Sequence, residues 1–424
     1  MVGHPSNAVV TPQIDATAPS AKPGHIAALD GIRGLAALYV VLYHIFLRAW
    51  PGAAAEAAPF WAVWLDNGRA AVIVFIALSG FSLAVGPAQS GWRLRSIPEY
   101  ARRRAWRILP PYWAALGFSL VMVWFVVAQP GWAVPDGKSV VVYGLLVQDA
   151  VSAGIPNRAF WSIAIEAQLY VLLPLLLLIV RRFSAVAMVA VVAAIVVTMG
   201  LLGPHVAWMN DALLKFTPDL AVLFAVGVLA AGIVTASERI RALPWAWFAL
   251  AAVVPVIVVI GINGTAWSTA NLFWVDLESA PTIGCLLIAV ATSRPRIVVR
   301  FLESRPLRRL GSFSYSLYLT HLPIVIAVAY GLVLPRVPSG TPTFFVLAVI
   351  LVPTTVVFAR LFAAVFEFPF QRHRGWKELL KAGQGDEAAT RNMTAAWAAT
   401  REEIEPVVTN DLPDQTSRTA KLDP

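Results

Sequence analysis

Asp30, Arg33 and His44 fall within residues 28–48, ALDGIRGLAALYVVLYHIFLR, a run otherwise apolar enough to cross a bilayer. A charged side chain at the centre of a membrane helix costs about 2.5–3.5 kcal/mol on insertion scales, so such residues are functional by default. Their spacing sharpens the point. Arg33 and His44 are 44 − 33 = 11 positions apart, and at about 100° per residue a helix returns His44 to within about 20° of Arg33, three turns on. Asp30 lies three residues before Arg33 on the same side. One helix face therefore carries an acid, an anion-binding guanidinium and, further along, an imidazole able to move a proton. Asp30 and Arg33 as a headgroup-level helix end, with His44 as packing, is the plain alternative. It suits one such residue better than three on one stripe.

Other apolar segments carry polar stripes of the same kind. In FWSIAIEAQLYVLLP, Ser162, Glu166, Tyr170 and Pro174 recur every four residues. Glu166 must pair inside a bundle, in a structural ion pair or a catalytic one. In LGSFSYSLYLTHLPI, Ser314, Leu317, Tyr318 and His321 follow the one-face pattern of a helix. The segment ARRRAWRILPPYW sets Arg103, Arg104 and Arg107 at the expected start of a helix, with Pro110 and Pro111 bending or restarting it. Arginine forks and the free N–H groups of a helix end suit phosphate, and the same residues equally suit a topology anchor. Ser79-Gly80 lets another backbone approach, as a packing site or as a substrate contact.

The elements that must position these groups are membrane helices. Of 424 residues, 58% are hydrophobic and 13% charged, against about 25% charged in a soluble protein. Mean hydropathy is +0.70. The expected fold is all-α, a polytopic integral membrane bundle of about ten transmembrane helices. They fall near 31–47, 69–86, 108–128, 160–180, 184–203, 213–234, 244–262, 270–292, 310–332 and 343–366. Residues 138–152 read as an interfacial or re-entrant piece. Net charge is +9, from 33 Lys and Arg against 24 Asp and Glu. The basic residues concentrate in alternate loops, among them Arg93–Arg107 and Arg294–Arg309, which places both termini in the cytoplasm. The charge points to a membrane leaflet, not to nucleic acid. Cys285 is the only cysteine, so no disulfide framework or thiol metal site is expected. Residues 1–25 read as a disordered cytoplasmic tail with no cleavable signal, 26–370 as the membrane domain and 371–424 as a polar cytoplasmic tail. Within that last tail Met393, Trp397, Arg401 and Ile404 have helical spacing.

Six stretches together resemble the membrane-bound acyltransferase-3 family: LDGIRGLAALYVVLYH (29–44), VFIALSGF (74–81), RRAWRILPPYW (103–113), FWSIAIEAQLY (160–170), LGSFSYSLYLTH (310–321) and FEFP (366–369). They follow the family's order and cover nearly the whole membrane region. The resemblance implies a ten-helix enzyme of the bacterial inner (plasma) membrane. Such enzymes move an acyl group, often acetyl, from cytoplasmic acyl-CoA to a hydroxyl of a carbohydrate, a glycolipid or an exported glycan, with no metal. Arg33 and His44 then take the family's essential pair, and Arg104 and Arg107 its Arg-x-x-Arg motif. Some members add a C-terminal hydrolase-like domain; the tail here is too short for one, so a stand-alone transferase is expected.

The residues fit this chemistry. Acyl transfer needs a base for the attacking hydroxyl and donors for the thioester oxyanion. His44 is the best base in the membrane region, with Glu166 as the acid to orient it. Arg33 lies about 16 Å of helix rise from His44, too far to share its carbonyl. It is assigned to the donor's phosphate or pantetheine, held by Asp30 and joined by Arg103, Arg104 and Arg107. Ser162, Tyr318 and His321 are supporting residues. A transporter or flippase also needs buried charge but commonly shows internal repeats, and none is found here. A polyprenyl-dependent glycosyltransferase would need acidic outer-loop motifs, which Asp136 and Asp149 match poorly.

Overall fold

The computed structural model describes residues 26–52, 58–127, 131–209 and 214–373, with 375 and 378. The two terminal tails expected at 1–25 and 371–424 lie almost wholly outside these residues, as does the Met393–Ile404 stripe.

Ten long apolar helices dominate the described residues: α1 Ala27–Ala49, α2 Arg69–Gln89, α3 Ile97–Val121, α4 Trp161–Arg182, α5 Ala185–Leu202, α6 Asp219–Val234, α7 Trp245–Ala270, α8 Leu272–Ala291, α9 Ser314–Val328 and α10 Thr341–Phe366. No strand occurs among the described residues. Nine of the ten are long and apolar enough to cross a membrane, and α6, with 16 residues, is the short one. The protein is a polytopic helical membrane bundle. Residues up to Phe368 form one compact unit, and a second begins at Pro369.

Three boundaries depart from the sequence reading, each for a local reason. Helix α3 starts at Ile97, not near 108, because Ser96 caps it by accepting from the Glu99 N–H at 3.3 Å and Pro98 suits its first turn. Pro110 and Pro111 lie inside it without restarting it. The arginines at 103–107 are therefore a turn and a half or more past the helix end, away from its free N–H groups. The span expected at 310–332 is broken at Phe313, between a short helix Arg305–Ser312 and α9. Helix α7 runs on past 262 to Ala270 through a kink at Gly264, whose φ is +81°. The 138–152 piece is a short helix, Gly137–Gly144, closed by a capping box of Asp136 and Ser139.

Prolines inside membrane helices free a carbonyl four residues back, which must find another donor. Two such donors tie the bundle together around its polar centre. Pro174 in α4 frees Tyr170 O, and the Tyr100 hydroxyl of α3 donates to it at 3.0 Å. Pro323 in α9 frees Leu319 O, and the Asn157 amide donates to it at 3.0 Å, pinning the loop before α4.

Helix packing uses the absence of side chains where backbones meet. A Cβ on Gly80 of α2 would strike the backbone of Phe224, and one on Gly227 of α6 the backbone of Ala77. The reading of Ser79-Gly80 as a close-approach site holds for Gly80, against α6. Gly311 likewise lies against the backbone of Asp30. Helices α5 and α7 present Val186, Ile195, Leu250, Val254 and Ile257 outward, an apolar face suited to lipid. Two packed clusters result. Residues of α1 and α9 enter both, so these two helices stand where the clusters meet.

Candidate active site

The polar residues of the bundle line up in two levels between α1, α2, α3, α4 and α9. At the level of the α1 start, Arg33 Nη1 donates to Asp30 Oδ1 at 3.0 Å and Nη2 to Ser82 Oγ at 2.5 Å. The Arg107 guanidinium lies within electrostatic range of Arg33, and Arg104 within range of Arg107, Tyr170, Tyr100 and Arg103. Arg107 thus bridges Arg33 and Arg104 in electrostatic range, with Asp30 the carboxylate that Arg33 pairs with. Among the described residues the buried Arg104 Nε–H has no hydrogen-bond partner. Arg103 is different: it pairs with Glu99 one turn back on the outside of α3, its side chain 51% exposed. Of the four arginines that sequence reading assigned to the donor, Arg107 lies in range of both Arg33 and Arg104, whereas Arg103, though in range of Arg104, is spent on Glu99 at the surface.

Further in, the Ser79 and Tyr170 hydroxyls both donate to Glu166. Among the described residues no hydrogen bond joins Glu166 to His44, which corrects the expected orienting contact. The reason is register along α4. Glu166 sits a turn beyond Ser162, and it is Ser162 that reaches the histidine level, 2.7 Å from the Tyr318 hydroxyl. Tyr318 donates in turn to Ala159 O at 2.9 Å.

At that second level His44 lies against His321, ring centroids 5.1 Å apart. His321 is fully buried, with Nδ1 3.1 Å from Leu317 O and 2.8 Å from Tyr318 O. His44 is only part-buried, so it is the more accessible of the two imidazoles. Tyr318 packs 5.9 Å from the His321 ring, completing the stripe expected on α9. Arg48, in the last turn of α1, donates to the Tyr330 hydroxyl at 2.8 Å. The charges of Arg48 and Arg158 both reach His44. Arg158 also opens onto a cavity of about 350 Å³, lined with Tyr143, Ile155 and Trp161. Its guanidinium stacks 4.8 Å from the Trp132 ring.

Sequence reading missed several residues that hold this arrangement. Tyr100 and Asn157 serve the carbonyls freed by Pro174 and Pro323, and counting four back from each intramembrane proline marks where such donors are needed. It also missed an ion triad. Arg69 donates to Asp219 at 2.7 Å and to Asp276 at 2.5 Å, both carboxylates buried, with its guanidinium 5.1 Å from the Trp161 ring. Acids inside the apolar runs PDLAVLF and FWVDLES were the available signal. The Glu367 carboxylate accepts from the Ser316 N–H at 3.2 Å and from its hydroxyl at 2.5 Å, an acid satisfying the first turn of α9. Among the described residues no group of three or more His, Cys, Asp or Glu stands ready for a metal.

The family model described as "Acyltransferase domain" matches residues 26–362. The chain belongs to this acyltransferase family. It is similar to the O-acetyltransferase OatA of Staphylococcus aureus, 24% identical over 351 residues, covering 74% of this chain and 53% of that protein. The peptidoglycan O-acetyltransferase OatA of Listeria monocytogenes is 22% identical over 379 residues, covering 82% and 56%. The putative peptidoglycan O-acetyltransferase YrhL of Bacillus subtilis is 24% identical over 374 residues, covering 82% and 55%. The chain thus spans about half the length of the curated relatives it matches. No solved structure matches it. The matched segment contains both levels of the site, from Asp30 to His321.

Proposed function

We propose that the protein is a membrane O-acyltransferase of the bacterial plasma membrane, moving an acyl group, acetyl by the relatives' names, from cytoplasmic acyl-CoA to a carbohydrate hydroxyl. The observation that carries this is the alignment of an arginine cluster at one end of the bundle with an accessible imidazole further in. Arg33, Arg104 and Arg107 are an anion site with an unused buried donor, and phosphate groups of CoA match that charge and geometry. The pantetheine arm would then pass Ser82, Ser79 and Tyr170 toward His44. Basic loops on the arginine side support a cytoplasmic location for that end and for both termini.

From the opposite end, the cavity beside Arg158 offers the ring faces of Tyr143 and Trp161 together with a cation, a surface that suits a sugar. The relatives named for peptidoglycan make a cell-envelope glycan the acceptor class to test first. In the reaction His44 takes the proton of the acceptor hydroxyl as its oxygen attacks the thioester carbonyl. The C–S bond breaks, and the thiolate leaves with the proton returned by His44. Glu166, held by Ser79 and Tyr170, is assigned to the donor passage and not to His44.

Purified protein given labelled acetyl-CoA and envelope glycan should release CoA thiol and place label, as an ester, on the glycan. Label that crosses vesicles without ester formation would favour a transporter. Reporters after Pro424 and in the 333–342 loop should report opposite sides of the membrane; same-side signals would remove the cytoplasmic donor entry.

A further inference from the structure

Among the described residues, His44 and His321 each leave one ring nitrogen buried without a partner: Nδ1 of His44 and Nε2 of His321. Buried polar atoms are rarely orphaned, and two orphans on neighbouring rings whose centroids are 5.1 Å apart call for a common explanation. The chemistry of His321 supplies it. Its Nδ1 faces two backbone carbonyls, which only accept, so Nδ1 carries the proton. In the uncharged ring Nε2 is then a lone pair that only accepts. The other charged groups in range of His44 are Arg48 and Arg158, and guanidinium groups only donate. Its remaining ring neighbour, Tyr43, lies 4.9 Å away. Among these, only His321, whose ring lies against His44, offers a nitrogen acceptor, Nε2, in a tautomer held by the backbone.

We propose that His321 is a positioning residue of the acyl transfer: its Nε2 lone pair, through one bridging water, holds the proton on His44 Nδ1. His44 Nε2 is then the basic nitrogen that takes the acceptor hydroxyl's proton. The inference rests on His44 being the base. As His44 accepts that proton its Nδ1–H becomes a charged donor, and the water-bridged link to His321 strengthens when the transition state needs it. The proton on Nδ1 stays in place throughout. The proton from the hydroxyl passes through Nε2 to the leaving thiolate.

The experiment compares His321→Leu, His321→Gln, His44→Ala and the double variant in purified protein, with acetyl-CoA as donor. Leucine removes the acceptor but leaves the carbonyls of Leu317 and Tyr318 in the helix ladder. Glutamine keeps an oxygen acceptor beside His44. His321→Leu should lower kcat about 10–100-fold, the scale of one lost hydrogen bond to a charged group, with both KM values within about twofold. His321→Gln should recover most of that loss. His44→Ala/His321→Leu should be no slower than His44→Ala, because His321 acts only through His44. In 15N-histidine spectra His44 should be protonated at Nδ1 in the wild type, and this signature should vanish in His321→Leu.

An active His321→Leu beside an inactive His44→Ala would overturn the pairing alone. An active His44→Ala would take down the base assignment and the pairing together. His321→Leu and His321→Gln both as slow as His44→Ala would make His321 the proton acceptor itself and overturn the positioning role, as would a His44 protonated at Nε2 in the wild type.

Discussion

Arg104→Ala should weaken donor binding without weakening the fold. Arg104 stands in range of the Arg107 and Arg103 guanidinium groups, and among the described residues its Nε–H is buried and unpartnered and no salt bridge holds it. Its removal therefore relieves repulsion and an orphaned donor, so thermal stability should be unchanged or slightly higher. Toward an anionic donor the balance reverses. A charge-assisted hydrogen bond contributes about 1.5–3 kcal/mol, and at about 1.36 kcal/mol per tenfold that is about 10–150-fold in affinity. The loss should appear in KM for acyl-CoA, since the phosphates are remote from the reacting carbonyl, while kcat stays within a few-fold. Arg103→Ala is the matched control. Its guanidinium is spent on Glu99 at an exposed surface, where such pairs contribute about 0–1 kcal/mol, so KM should move less than about threefold. Steady-state kinetics on both variants, with a direct CoA-binding isotherm, decides the matter. Equal effects of the two variants, or an unchanged KM in Arg104→Ala, would refute the anion-site reasoning.

Four further outcomes follow from the geometry. Arg69→Met leaves the buried Asp219 and Asp276 without their cation and should cost about 3–5 kcal/mol of stability. Adding Asp219→Asn and Asp276→Asn should restore most of the thermal stability in detergent, and a single variant as stable as wild type would refute the triad. Asn157→Leu strands the Leu319 carbonyl that Pro323 frees, a loss of about 1–3 kcal/mol, seen as a lower Tm and faster proteolysis of the 145–160 loop. Burial of Asp149 raises its carboxyl to about 6, the Gln168 amide opposing only in part. The folded state therefore holds this proton more tightly than the unfolded chain does. The associated stability is full below the ordinary carboxylate value of 3.8 and is lost as pH rises through about 6. Wild type should thus melt higher at pH 4.5 than at pH 7, and Asp149→Asn should shrink that difference; an undiminished difference would place its cause elsewhere. Gly80→Leu should prevent α2 and α6 from meeting and remove folded protein from the membrane, whereas Gly86→Ala, with open space around it, should express normally.

Apolar length and loop charge were enough to read the bundle from the chain, because each membrane helix satisfies its backbone within itself and so announces itself locally. The same holds for the stripes. Helical periodicity alone places Asp30 with Arg33, Ser162 with Glu166 and Tyr318 with His321, since residues three or four apart share a face whatever surrounds them. Which stripe meets which is a different kind of fact. It depends on how far each helix slides and turns against its neighbours, and that is decided by backbone contacts such as Gly80 on Phe224 and by carbonyls that prolines free. Sequence therefore joined Glu166 to His44, where packing pairs Glu166 with Ser79 and Tyr170 and sets His44 against His321. It grouped Arg103 with Arg104 and Arg107 because they are neighbours in the chain. Adjacent residues of α3 are about 100° apart, so Arg103 is spent on Glu99 at the surface while Arg104 turns inward, and Arg107 comes within range of both Arg104 and Arg33, 74 positions before Arg107 in the chain (107 − 33 = 74).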